Sequence, residues 1–206
     1  MMILAVVVVV AIVMFTIINT LKTKNYRKLI GYLEKGDYDS FYKTIENKKI
    51  KLLFPKSSLL DLKFNASLVQ QNKKEAIFYL EQLCSLPLTT PQKENYYMKA
   101  FNFFVGLNDK KNSKKYLDLI NALDNERMKM EANRVYNIYI LKNDKYLSEL
   151  KEELEDMEDY QKGVNEYLIS IIYKNKKDFE NAKKYEALSK EHFALVDAET
   201  KKKYTN

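Results

Sequence analysis

The stretch KGDYDSF at residues 35–41 decides the fold, because a similar polar turn returns four more times along the chain. The later copies are QNKKEAI at 71–77, NDKKNSK at 108–114, NDKYLSE at 143–149 and KKDFENA at 176–182. Aligned in this way, one position is occupied by Phe41, Ala76, Ser113, Ser148 and Ala182, at spacings of 35, 37, 35 and 34 residues. Four of these side chains are small, so we predict that two antiparallel helices approach closely at each copy.

A second repeated position lies nine residues before the first and carries an aromatic ring in four of the five copies. Its residues are Tyr32, Ser67, Phe104, Tyr139 and Tyr173. A ring at a fixed place in the helix before each turn is expected to pack in the core between neighbouring helices. The chain has only four glycines and three prolines, too few for the many turns of a β-sandwich. The sequence therefore predicts an all-α fold of about five helical hairpins.

The predicted hairpins extend from residue 25 to residue 196. Their helices are expected at 25–35 and 38–50, 58–71 and 73–86, 91–107 and 112–123, 125–142 and 145–157, and 160–175 and 178–196. A polar tail is expected at 197–206.

Two of these segments, KGDYDSFYKTIEN at 35–47 and KKDFENAKKYEAL at 176–188, resemble the turn and second helix of the tetratricopeptide repeat family. The resemblance covers about residues 25–193 and implies an α-α superhelix whose first helices line a concave groove that binds a peptide or protein. The chain lacks the family's glycine in the first helix. The proline that closes each unit is suggested only by Pro55 and Pro87.

The first segment, Met1–Leu21, contains no charged side chain. About 20 such residues in a helix span a hydrocarbon core of about 30 Å, so we predict a transmembrane anchor at 1–21, followed by a basic linker at 22–28. A cleaved signal peptide is the alternative, although the basic leader and the small-residue cleavage site are missing. A helix buried in the core is the third possibility.

The four basic residues after the apolar run predict the orientation of the anchor. Because positive charge is retained on the cytoplasmic side, they favour a single-pass membrane protein with its soluble domain in the cytoplasm, while an extracytoplasmic domain stays open. These membrane-orienting residues are Lys22, Lys24, Arg27 and Lys28.

Three asparagines mark a candidate partner-binding site. If the repeat register holds, Asn65, Asn102 and Asn137 occupy the groove-facing position of the second, third and fourth hairpins. Side-chain amides carry both donors and an acceptor, so they are able to grip the backbone of an extended peptide. Lys99 and Arg134 stand three residues before two of them and are candidates to receive carboxylates. The alternative is that these amides bond to neighbouring helices or to water.

The sequence contains no pattern typical of catalysis. With one cysteine, Cys84, and one histidine, His192, it cannot build a Cys/His zinc site, and it has no glycine-rich phosphate loop or nucleophile motif. We therefore predict no enzyme activity, no catalytic or metal-binding residues and no cofactor. The acidic run at 149–159 is interpreted as a solvated helix face that is able to attract a basic partner.

These observations predict a membrane-anchored scaffold, or adaptor, that binds an unidentified peptide or protein in its groove and contacts the lipid bilayer through residues 1–21. One alternative is a non-catalytic accessory subunit of a membrane secretion or cell-envelope assembly. A further alternative is a binder of anionic lipid or nucleic acid, since the net charge is +7. Nucleic acid is the weaker choice, because the charge comes almost wholly from lysines that are interspersed with acidic residues.

Overall fold

The structure is a computed structural model that describes the backbone from Met2 to Thr205 and the side chains of residues 12–196. That part of the chain is helical and contains no β-strand, which confirms the all-α prediction. Its α-helices are α1 (Met2–Glu34), α2 (Tyr38–Ile45), α3 (Lys48–Leu53), α4 (Lys56–Val69), α5 (Lys73–Cys84), α6 (Thr90–Gly106), α7 (Lys110–Asn121), α8 (Glu126–Val135), α9 (Leu147–Glu152), α10 (Asp159–Asn175) and α11 (Phe179–Thr205).

The prediction of a transmembrane anchor at 1–21 is wrong. Among the residues that the structure describes, no helix is both long enough and apolar enough to cross a membrane. Helix α1 does not end at Leu21: it is 33 residues long and continues past four basic side chains to Glu34. Residues 1–11 of the predicted anchor lie outside the described side chains.

Two further predictions depended on the transmembrane anchor. The single-pass membrane location is wrong for the same reason, and the cytoplasmic orientation inferred from Lys22, Lys24, Arg27 and Lys28 loses its basis. These residues belong to the continuous helix α1, and the last three of them are exposed. The polar tail predicted at 197–206 also lies outside the described side chains.

The chain forms two compact units, Met1–Leu88 and Thr89–Asn206, called unit 1 and unit 2 below. In unit 1 the C-terminal part of α1 is a packing helix. Its Leu29 is fully buried and packs with Phe41 and Ile45 of α2. Helices α4 and α5 form the second hairpin of this unit.

Unit 2 contains the hairpin of α6 and α7 and the hairpin of α10 and α11. Phe104 stacks on Tyr116 in the first, with ring centres 5.5 Å apart and planes inclined by 12°. In the second, a Cβ on Gly163 would lie 3.0 Å from Phe193 Cε1, so the glycine permits a close approach of the helices. The Ser189 hydroxyl donates to the Gly163 carbonyl at 2.7 Å across the same contact.

The repeated turns share one backbone conformation, which explains why the polar motif recurs. A residue with positive φ ends the first helix of every hairpin, at Gly36, Gln71, Asn108, Lys142 and Lys177. In four of the turns the next residue accepts a hydrogen bond from the backbone amide three residues further on, and so caps the second helix. These caps are Asp37, Asn72, Asp109 and Asp178.

The same four turns close with a second common bond. The amide of Asp37 donates to the carbonyl of Tyr32 at 2.9 Å, five residues back, and the equivalent bonds occur in the other three. This bond satisfies a carbonyl that the end of a helix leaves without a partner. The repeated position predicted from the sequence accepts this bond in all four turns, and it carries an aromatic ring in three of them.

The fourth turn is irregular, because one turn of π-helix, Tyr136–Ile140, follows α8. The amide of Asn143 reaches six residues back, to the carbonyl of Asn137, at 3.2 Å. Helix α9 starts only at Leu147, so the amide that donates to its N-cap carbonyl is that of Leu150. Leu150 is fully buried whereas Ser148 is exposed, so the predicted small position is wrong in this copy.

Two predicted second helices are also shorter than expected. The helix expected at 38–50 is divided into α2 and α3, because the Asn47 side chain accepts from the Lys49 amide at 2.9 Å and starts a new helix. The helix expected at 145–157 consists of α9 and a 3-10 turn at Glu153–Asp156.

Candidate functional site

An open groove in unit 2 lies between α6 and α8, which are the first helices of the third and fourth hairpins. Its volume is about 600 Å³. Side chains from one face of α6 and from the start of α8 line it: Glu94, Asn95, Met98, Lys99, Asn102, Asn125, Arg127, Met128 and Glu131. We call this the α6–α8 groove.

Local sequence fixes the two helices that form the groove. The amide of Thr89 donates to the Gln92 side chain at 3.0 Å, and Pro91 occupies the first turn of α6, where its missing N–H removes no helical bond. Asn125 caps the start of helix α8, since its side-chain oxygen accepts from the Met128 amide at 3.1 Å. Both helices that line the groove therefore begin at a capped N-terminus.

Helix periodicity divides α6 into two faces. Asn95, Met98 and Asn102 are separated by three and four residues, so they follow one another along the groove. Ala100 and Phe104 point into the core of unit 2 and are fully buried. The groove face is thus presented by a helix whose opposite face is anchored in the core.

The lining of the groove is chemically mixed. Two carboxylates, Glu94 and Glu131, are matched by two cations, Lys99 and Arg127, and the methionines supply a polarisable apolar surface. Asn102 is exposed, and its amide makes no side-chain hydrogen bond to any residue in the described range 12–196. Such a surface offers amide donors and acceptors, charges of both signs and adaptable apolar contacts to an extended chain.

The structure brings two of the five predicted partner-binding residues together. Asn102 and Lys99 both line the α6–α8 groove. Asn65 lies on α4 in unit 1 and is half-buried, so it does not belong to this groove. Asn137 lies in the π-helical turn, where it donates to the Asn133 carbonyl at 2.8 Å and accepts from Asn143 at 3.0 Å. Its amide is therefore already satisfied within the protein.

Arg134, the fifth predicted residue, is at the centre of an internal charge network. Only 8% of it is exposed, and it does not line the groove. Its guanidinium donates to Glu153 at 3.0 and 2.5 Å and also to Glu149, and Asn165 donates to Glu153 at 2.8 Å. Burial lowers the pKa of Arg134, but its hydrogen bonds to Glu153 and Glu149 outweigh this effect and raise the pKa above its ordinary value.

This network corrects the interpretation of the acidic run. Glu149 and Glu153 stand four residues apart, so one face of α9 and the following turn presents both carboxylates to Arg134. The sequence shows that spacing, and it also shows that Arg134 is one of only three arginines in the chain. The sequence predicted that Arg134 receives carboxylates of a binding partner. In the structure it receives the carboxylates of Glu149 and Glu153, which belong to unit 2 itself.

Sequence reasoning missed most of the groove. Glu94, Asn95 and Met98 precede Lys99 and Asn102 on the same helical face, and this spacing was the available signal. The side chains from α8 were not predictable in this way, because they depend on where the neighbouring helix lies.

Neither His192 nor Cys84 is among the residues that line the α6–α8 groove. The His192 ring lies 2.7 Å from the Glu166 carboxylate, between α11 and α10. Cys84 is half-buried at the end of α5. No group of three His, Cys, Asp or Glu side chains in the described part of the chain is arranged to hold a metal ion.

Comparison of the chain with protein-family models, with curated proteins and with solved structures gives no match.

Proposed function

We propose that the protein is an interaction module that binds an extended peptide segment of a partner protein in the α6–α8 groove and does not catalyse a reaction. The observation that carries the proposal is the pair of first helices that face this groove with amide, methionine and oppositely charged side chains. The resemblance of the repeated turns to the tetratricopeptide repeat family supports it, because that family binds peptides between first helices.

Each part of the lining has a role in such a complex. Asn102 offers its amide to the peptide backbone, which makes binding tolerant of sequence. Met98 and Met128 pack against apolar side chains and adapt to their shape. Arg127 attracts carboxylates while Glu94 and Glu131 attract basic side chains, so a peptide with separated charges of both signs fits best.

A displayed peptide library, selected on the full chain, supplies the probe for a direct test. The dissociation constant of the selected peptide is then measured by fluorescence anisotropy for two matched variants, Asn102→Ala in the groove and Asn65→Ala in unit 1. We expect Asn102→Ala to weaken binding about tenfold, a loss typical of an anchoring contact, and Asn65→Ala to leave it unchanged.

The double variant Met98→Ala with Asn102→Ala should reduce binding further, while circular dichroism confirms that the helices are retained. Equal losses from Asn65→Ala and Asn102→Ala would contradict the location of the site. Selected peptides whose affinity is unaffected by both groove substitutions would remove the groove from the function altogether.

A further inference from the structure

The positive charge of the protein is concentrated in unit 1. Residues 1–88 contain 13 lysines and arginines against 7 acidic residues, a net charge of +6. Residues 89–206 contain 22 basic and 21 acidic residues, a net charge of +1. Nearly all of the net charge of +7 therefore belongs to the smaller unit, far in sequence from the α6–α8 groove.

Part of this charge faces a second groove, which lies between α1 and the α2–α3 segment and has a volume of about 600 Å³. Three lysines line it, Lys28 from α1, Lys43 from α2 and Lys49 from α3, and none of its lining residues is acidic. We call it the lysine groove. Three cations from three helices, with no carboxylate in the lining, produce a positive potential in the groove.

Two carboxylates near these helices, Glu46 and Asp37, are engaged elsewhere, and the exposed Glu34 and Asp39 do not line the groove. Glu46 of the α2–α3 connection pairs with Lys51 and Lys63, and hydrogen bonds from these two lysines lower its pKa. Asp37 accepts from the Ser40 amide as a helix cap at 3.1 Å. Within the described residues, none of the three groove lysines forms an ion pair, and Lys28 lies 5.7 Å from the centre of the Tyr32 ring.

We propose that the lysine groove binds the phosphate group of an organic phosphate, either a soluble phosphate ester or the headgroup of an anionic lipid. Lysine ammonium groups suit phosphate as compact point charges, and the Ser40 and Thr44 hydroxyls in the lining add neutral donors. Leu21 and Leu53 border the same groove and contact the apolar part of the ligand. This site belongs to unit 1, so it stands independently of the peptide site proposed for unit 2.

Calorimetric titration of the full chain with inorganic pyrophosphate tests the shared chemistry. The test variant combines Lys28→Gln, Lys43→Gln and Lys49→Gln. The control variant combines Lys35→Gln, Lys73→Gln and Lys74→Gln, which removes the same charge from exposed positions of unit 1 outside the groove. We expect the test variant to bind about a hundredfold more weakly and the control about as well as the unchanged protein.

Vesicle co-sedimentation then separates the two sources of phosphate. Phosphatidylcholine vesicles with and without phosphatidic acid are used, in the presence and absence of pyrophosphate. Sedimentation that needs phosphatidic acid and the three groove lysines assigns a lipid headgroup, whereas pyrophosphate binding without sedimentation assigns a soluble ester. The proposal is overturned if neither probe binds, or if the control variant loses as much affinity as the test variant.

Discussion

The two units of this protein use the same helical turn but treat their charges differently. In unit 1, three lysines of separate helices face an open groove without a carboxylate, and the unit carries most of the net charge. In unit 2, the buried cation Arg134 is held by two carboxylates, and basic and acidic residues almost cancel. The lysines of unit 1 therefore face open space, whereas the central cation of unit 2 is paired inside the unit.

The largest expected effect tests whether the irregular hairpin of unit 2 has the packing described above. Leu150→Ala removes a fully buried side chain and leaves a cavity, so we expect a loss of about 3 kcal/mol in the free energy of unfolding. Ser148→Ala, two residues away and exposed, should change it by less than about 0.5 kcal/mol. Hydrogen exchange of unit 2 amides measures both. The reverse order would restore the register predicted from the sequence.

The next effect concerns the paired cation. Arg134→Ala leaves Glu149 and Glu153 without their partner, and we expect unit 2 to lose about 2 kcal/mol. The value lies below the range for fully buried pairs, because both carboxylates keep part of their contact with water. Lys43→Ala in unit 1 is the matched control and should leave stability unchanged within about 0.5 kcal/mol. The free energy of unfolding of both variants is measured in urea. Equal losses from Arg134→Ala and Lys43→Ala would contradict the contrast between a paired cation in unit 2 and an unpaired one in the described part of unit 1.

The turns provide a smaller test that treats the two units alike. Gly36 has φ of 69° with open space around its Cα, so Gly36→Ala should destabilise unit 1 by about 1 kcal/mol through backbone strain alone. Lys177 has φ of 62°, and Lys177→Gly should stabilise unit 2 by about 1 kcal/mol. Thermal unfolding of both variants shows the two signs. Effects of the same sign would mean that the turns differ in conformation.

The smallest effect is a pH dependence confined to one surface carboxylate of unit 2, Glu186, and its two lysine partners. Hydrogen bonds from Lys174 and Lys190 lower the pKa of Glu186 from 4.5 to about 2. Because the folded-state pKa is depressed, the stabilisation is present above pH 4.5 and is lost as the pH falls towards 2. Carboxyl chemical shifts measure this pKa. Lys174→Gln should raise the pKa of Glu186. Lys129→Gln is the control and should leave this pKa unchanged, because Lys129 pairs with Glu126.

The regular part of the fold was predictable because local chemistry determines it. A helix-ending residue with positive φ followed by an Asp or Asn cap uses only neighbouring side chains, so four of the five turns follow the sequence register. The fourth departs because its π-helical turn and longer connection depend on packing around Tyr136 and Ile138, both buried. Tertiary contacts of this kind leave no periodic signal.

In the N-terminal helix and in the candidate site, too, tertiary contacts decided features that the sequence pattern did not predict. The apolar composition of residues 1–21 predicted a boundary at Leu21, but the helix continues because Leu29 and Leu33 pack on α2. Of the predicted partner-binding residues, Asn102 and Lys99 line the α6–α8 groove because their spacing puts them on one face of α6. Asn137 was misjudged, because the bond that satisfies its amide comes from Asn143, beyond a turn whose shape the sequence did not reveal.

The π-helical turn also matters for anyone who aligns this chain with another. Its extra residue sits inside a helix, at Tyr136–Ile140, and the longer connection before Leu147 follows at once. Alignment schemes commonly resist gaps within helices. A comparison made under that rule would pair Ser148 with buried positions of other hairpins and would misplace Leu150 by two residues, so the gaps belong between residues 136 and 146.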